Sequence, residues 1–149
     1  MPDDLGSAHG GVFRHILVGF DGSSEAQRAL HVATALAADL GGEAHVLLVV
    51  RPGAHAETQE ERDRAIAAER ENLSRGLRGI ENQTQGRFEI SAEVIYSDDP
   101  AVALGHYAEE HGFDIMVVGG HGREQATHRG IGKSLEVLLR HHSCPVLVV

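Results

Sequence analysis

Gly119-Gly120-His121-Gly122 follows directly on the apolar run Asp114-Ile115-Met116-Val117-Val118, and Gly132-Lys133-Ser134 comes after a further nine residues. Glycines where a buried strand ends let the backbone approach a ligand closely, and a helix starting near Gly132 aims its free N–H groups at an anion. The spacing therefore outlines a phosphate cradle. Charge agrees with this. Between His121 and His142, Arg123, Arg129, Lys133 and Arg140 stand against Glu124 and Glu136, a local balance of +2 in a chain of net charge −9. A second strand end carries polar chemistry as well, at Gly19-Phe20-Asp21-Gly22-Ser23-Ser24. Asp21 there is a candidate ligand contact, and Asp-Gly-Ser-Ser is equally good turn and helix-capping chemistry.

Two strand ends need strands. Five short apolar runs supply them: Ile16 to Phe20, Val46 to Val50, Phe88 to Tyr96, Ile115 to Val118 and Val146 to Val149. Three are nearly continuous, as in a parallel sheet buried on both faces, whereas Phe88 to Tyr96 alternates like a strand near an edge. Helical patterns separate them. Ala26, Ala29, Leu30, Ala33, Ala37 and Leu40 recur at spacings of three and four before Gly41-Gly42 stops the helix. Thr58-Gln59-Glu60-Glu61 reads as a capping box opening a helix whose Ile66, Leu73, Leu77 and Ile80 share a face. Asp99 caps a third helix from Pro100 to Glu110, and a fourth starts near Gly132 and is expected to bury Leu135, Leu138 and Leu139. The order βαβαβαβαβ favours a doubly wound, Rossmann-like α/β sheet with right-handed crossovers. Such sheets bind ligands beyond the carboxyl ends of their strands, where strand order reverses. If the first and fourth strands are neighbours, both polar loops face one crevice.

Length and composition narrow the classes. At 149 residues, with 42% hydrophobic and 23% charged residues, the chain fits a single domain with its own core. The reading gives residues 1–13 as a loose lead and 14–149 as the domain. The acidic balance argues against a sequence-independent grip on nucleic acid. No apolar run is long enough to span a bilayer, the first residues lack the basic region of an export signal, and Cys144 has no intramolecular partner, so the cytoplasm is the expected compartment. Eleven histidines, including His141-His142, show no zinc spacing and read as solvated or helix-end residues. Cys144, before Pro145, reads as an inert packed thiol.

Gly130-Ile131-Gly132-Lys133-Ser134 ends like a Walker A loop, but that motif needs a glycine where this chain has Thr127. The longer spacing resembles the nucleotide-binding motif of the universal stress protein family, in its ATP-binding branch. The resemblance extends from Arg14 over nearly the whole chain. It is carried by Ile16 to Ser23, Asp99-Pro100-Ala101, Gly119 to Arg123, and Cys144-Pro145-Val146-Leu147-Val148-Val149.

This resemblance implies a five-stranded parallel sheet of order 3-2-1-4-5 with four helices. It places Gly19, Phe20 and Asp21 at the base and ribose end of ATP, AMP or ADP, with Mg as an optional companion, and Val50 where backbone groups read adenine. Gly119 and Gly122 fall where backbone passes the ribose and phosphates, and His121 and Arg123 lie within that loop. Gly132 with Lys133 and Ser134 falls at the phosphates. The family's Ser or Thr after the last glycine is Lys133 here, so a point charge replaces a hydroxyl. Any hydrolysis is expected to be slow, because no general base for water and no metal cage is evident. The resemblance also implies a homodimer through Val146 to Val149 and an unidentified protein partner. The alternative is an interaction module of the same fold that binds no nucleotide. A phospho-receiver fits less well, since it calls for an acidic pair after the first strand and Asp21 stands alone.

Overall fold

A computed structural model describes residues 13–51, 58–84, 88–120 and 133–149, and the statements below concern these. Nine elements alternate along the chain: β1 (His15–Phe20), α1 (Ser24–Leu40), β2 (Glu43–Val50), α2 (Gln59–Thr84), β3 (Glu89–Tyr96), α3 (Pro100–Glu110), β4 (Ile115–Val118), α4 (Lys133–His141) and β5 (Val146–Val148). The five strands form one parallel sheet of order β3-β2-β1-β4-β5, as the resemblance implies. Strand order therefore reverses between β1 and β4, and Ile16 pairs with Ile115 across that seam.

Local chemistry sets the helix boundaries. Ser23 caps α1, its Oγ accepting the Ala26 N–H at 3.1 Å, and Gly41 ends the helix at φ +67°, where Gly42 N–H reaches back to Ala37 O at 3.0 Å. The capping box of α2 forms reciprocally. Thr58 Oγ1 accepts the Glu61 N–H at 3.1 Å, and Glu61 Oε2 accepts the Thr58 N–H at 3.0 Å. Asp99 Oδ1 accepts the Val102 N–H at 3.3 Å, with Pro100 in the first turn of α3.

Successive strand residues point to opposite faces, so each face of the sheet builds its own core. One side packs Ile16, Val18, Val46, Leu48 and Val117 against α1 and α2, with Leu73 and Leu77 buried and Ile66 and Ile80 partly so. The other packs Leu17, Leu47 and Met116 against Leu104 and Ala108 of α3 and Leu135 and Leu138 of α4. One expectation fails. Leu139 is 44% exposed, because α4 turns only its Leu135–Leu138 stripe inward and leaves Leu139 on the flank. At the amino end of the sheet, Asp114 Oδ2 accepts the N–H groups of Arg14 at 3.0 Å and His15 at 2.9 Å, clasping the start of β1 to the start of β4.

Candidate functional site

Asp21 leaves β1 and immediately turns the chain. Its Oδ1 accepts the Ser23 N–H at 2.9 Å, and Ser23 then starts α1, so Asp21 shapes the turn while Ser23 makes the cap. Beside it β4 ends at Val118, and Gly119 lies against the first turn of α1. A Cβ built on Gly119 would sit 2.6 Å from Glu25 Cβ and 2.9 Å from the Glu25 carbonyl carbon, so only a glycine lets the end of β4 come this close to the first turn of α1. The expectation that these loops share one crevice is met.

The crevice is a cavity of about 410 Å³ beyond the carboxyl ends of β1, β2 and β4. Its volume lies within the range of small-molecule sites. The loop after β1 contributes Gly19, Phe20, Asp21 and Ser23, and α1 contributes Ala26. Leu47 to Val50 of β2 form a second wall, continued by Arg51 and by Glu69 of α2. Pro100, Ala101 and Leu104 of α3 face Leu135 and Leu138 of α4, and Val118, Gly119 and Gly120 close the remaining side. These walls are mainly apolar. They suit a flat, weakly polar ring system, with polar groups at Asp21, Ser23, Arg51 and Glu69 and at the glycine backbone.

The charges lining the described part of the cavity are Asp21, Glu69 and Arg51. Two carboxylates against one guanidinium do not attract a polyanion. α4, which supplies Leu135 and Leu138 to the lining, opens at Lys133 with the positive end of its dipole. Backbone accounting sharpens the picture. The Gly120 N–H donates to Val149 O at 3.1 Å, and the Val149 N–H donates to Val118 O at 2.9 Å, so Gly120 serves the β4–β5 pairing. The Val50 carbonyl accepts the Ser97 N–H at 3.0 Å and keeps one lone pair beyond that bond.

Gly19, Phe20, Asp21, Val50 and Gly119 thus line one cavity. His121, Gly122, Arg123 and Gly132 lie outside the described residues, as do the side chains of Lys133 and Ser134. Sequence reasoning missed Arg51, Glu69, Leu135 and Leu138 as lining residues. The two leucines were visible as the inward stripe of the last helix, whereas Glu69 reaches the cavity only through the packing of α2. Among the described residues no group of three or more His, Cys, Asp or Glu could hold a metal ion. Cys144 is half-buried, its Sγ 3.6 Å from Phe113 O, and burial pushes its thiol pKa up, with Asp114 and Glu109 adding to the effect. Both effects favour the thiol over the thiolate.

A parallel sheet with a reversal in strand order and an apolar crevice at that reversal define a doubly wound α/β protein. The model of the universal stress protein family matches residues 13–149, and the chain belongs to that family. It is 29% identical over 148 residues to the universal stress protein YxiE of Bacillus subtilis, a match covering 93% of this chain and 99% of the relative. Universal stress protein UspA from Lactobacillus plantarum superposes with a TM-score of 0.77 at 24% identity, over 92% of this chain and 97% of that one. A universal stress protein in complex with cAMP gives 0.65 at 20% identity, covering 93% and 98%. One from Archaeoglobus fulgidus in complex with dAMP gives 0.60 at 17%, covering 92% and 98%. At these identities the solved structures establish the fold, and the nucleotides are theirs. Among the described residues no helix is long and apolar enough to cross a membrane.

Proposed function

We propose that the crevice binds an adenine nucleotide and that the protein acts as a nucleotide-responsive stress-signalling module of the cytoplasm. One observation carries this reading: a single cavity gathers Asp21, Val50 and Gly119 between apolar walls to which α4 contributes Leu135 and Leu138. The base lies between Val49–Val50 and Ala101–Leu104, and Asp21 accepts from the ribose hydroxyls. Gly119 and Gly122 pass the ribose and phosphates, while His121, Arg123, Gly132, Lys133 and Ser134 take the phosphates of ATP, ADP or AMP, with or without Mg. The cAMP and dAMP complexes of the two structural relatives support the ligand class.

Calorimetric titration with ATP, ADP, AMP and cyclic AMP, with and without Mg, tests the reading. Saturable heat is expected, together with stabilisation of about 2.7 kcal/mol when nucleotide reaches 100 times its Kd. Neither heat nor a thermal shift at millimolar nucleotide would overturn it. Lys133→Ala is expected to weaken ATP more than AMP, because the lysine's charge meets the outer phosphates; tighter ATP binding would mark the lysine as an obstruction.

A specific feature favours a second, compatible role. Leu139 and Val148 are the large apolar side chains left exposed among the described residues, and β5 is an edge strand. Pairing of β5 with a second copy across a two-fold axis covers both that edge and Val148. Light scattering is expected to give a dimer for the native chain and a monomer for Val148→Lys. A native monomer would remove this role and leave the nucleotide reading standing.

A further inference from the structure

The face of β3 turned toward α3 carries chemistry that the crevice does not use. Ser91 and Glu93 lie two residues apart and so share that face, and strand register sets His45 of β2 directly beside Ser91. Tyr107 of α3 completes the group. Its hydroxyl donates to Glu93 Oε2 at 2.6 Å and lies 2.9 Å from His45 Nε2, while His45 Nδ1 lies 2.6 Å from Ser91 Oγ.

Proton counting fixes the directions of these bonds. A phenol has one proton, and Tyr107 gives it to Glu93, so toward His45 it can only accept. The His45 proton therefore sits on Nε2. The lone pair on Nδ1 then faces Ser91, whose hydroxyl donates to it. The imidazole is held in this orientation by nearly parallel stacking on Tyr107, with centroids 5.6 Å apart and planes 5° apart, and by Phe113 at 5.7 Å. Ser91 itself is exposed. A hydroxyl within hydrogen-bond reach of a basic nitrogen, whose other nitrogen is oriented by a third group, is the arrangement of an activated nucleophile.

We propose that Ser91 is a covalent acceptor for acyl groups delivered by activated esters, with His45 as its general base. Ser91 Oγ attacks the ester carbonyl carbon and its proton passes to His45 Nδ1. The bond from carbon to the leaving oxygen then breaks, and that oxygen takes the proton from Nδ1, leaving an acyl-serine and a neutral alcohol. Tyr107 and Glu93 are positioning residues, which stabilise the transient imidazolium through Nε2–H. Burial is the largest influence on His45 and holds its pKa below the ordinary 6.5. Glu93 of β3 and Glu43 of β2 oppose that shift, and His111 beyond α3 reinforces it. The imidazole is thus in its basic form at neutral pH. Burial and the bond to Glu93 likewise keep Tyr107 a phenol.

The test uses the full chain and p-nitrophenyl acetate, reading p-nitrophenolate release and mapping the acetylated peptide. Acetyl is expected on Ser91 of the native protein and nowhere on the corresponding peptide of Ser91→Ala. His45→Gln is expected to slow acetylation by about 100-fold or more. The native rate rises with pH, reaches half its maximum below pH 6.5 and is flat above, following the neutral fraction of His45. Tyr107→Phe keeps the ring stack but frees the tautomer, so it lowers the rate per folded molecule and moves the pH at which the rate rises. Acetyl found only on other residues, or an unchanged Ser91 rate in His45→Gln, would overturn the proposal, and the mapping needs no variant. Because nucleotide is absent from the assay, its outcome is independent of the crevice reading.

Discussion

Gly119→Ala is expected to lower the free energy of unfolding by about 3 kcal/mol, at the upper end of what overpacking costs, and to weaken nucleotide binding in the same variant. The added Cβ meets Glu25 Cβ at 2.6 Å, the Glu25 carbonyl carbon at 2.9 Å and the Ala26 nitrogen at 3.2 Å. Two of these are backbone atoms of the first turn of α1, and Ala26 N–H is the group that Ser23 caps. Relief therefore moves either the cap or the end of β4. Gly120 provides the control one residue away. A Cβ there meets only Val148 Cγ1 at 3.5 Å and Val149 O at 3.8 Å, which is ordinary contact, so Gly120→Ala should stay within about 0.5 kcal/mol of the native protein. Urea denaturation compares the two, and equal losses would show that Gly119 is not held by packing.

A comparable loss, about 2 kcal/mol, is expected for Gly105→Ala on the other side of the sheet. Here the obstacle is a side chain. His142 follows α4 and lays its imidazole on Gly105 of α3, where a Cβ would overlap Cδ2 and Nε2 of the ring. The ring is only 5% exposed, with Nδ1 3.3 Å from Glu109 Oε1 and its edge toward the His106 ring. Its Nε2 is buried without a partner among the described residues. A double-mutant cycle separates obstruction from any intrinsic intolerance of alanine. In a His142→Ala background the same Gly105→Ala change should cost nothing and should stabilise by up to about 1 kcal/mol, the helix preference for alanine over glycine. A penalty that persists without His142 would sink this account.

Elements that depend on neighbours in sequence are legible in the sequence itself. The reciprocal bonds of Thr58 and Glu61, the cap at Asp99 and the stop at Gly41 are all closed within a few residues, so their residue types alone announce them. The crevice was legible for a related reason, since polar residues at two strand ends have few uses other than turning and binding. What escaped was set by lateral register and by helix placement. His142 was expected among solvated or helix-end residues and does follow the end of α4, yet the notch at Gly105 that buries its ring is made by another helix. His45, Ser91, Glu93 and Tyr107 span more than sixty positions and meet only because Glu43 to Val50 aligns with Glu89 to Tyr96 in one register. A one-residue slip would separate them, and no local pattern encodes that alignment. Leu139 shows the limit of periodicity, which gives the width of an apolar face but not how much of it a partner covers.

The seam between β1 and β4 bears on how the chain folds. The other strand neighbours are joined through a single crossover helix, whereas Ile16 and Ile115 meet across about one hundred intervening residues, and Asp114 clasps the same seam at its far end. Loop-closure entropy makes such distant contacts the slow ones to form. A chain that has built its separate βαβ units but not joined them possesses its helices, its caps and most of its strand pairs, and still has no crevice. A ligand in the proposed site would therefore report completed topology rather than secondary structure.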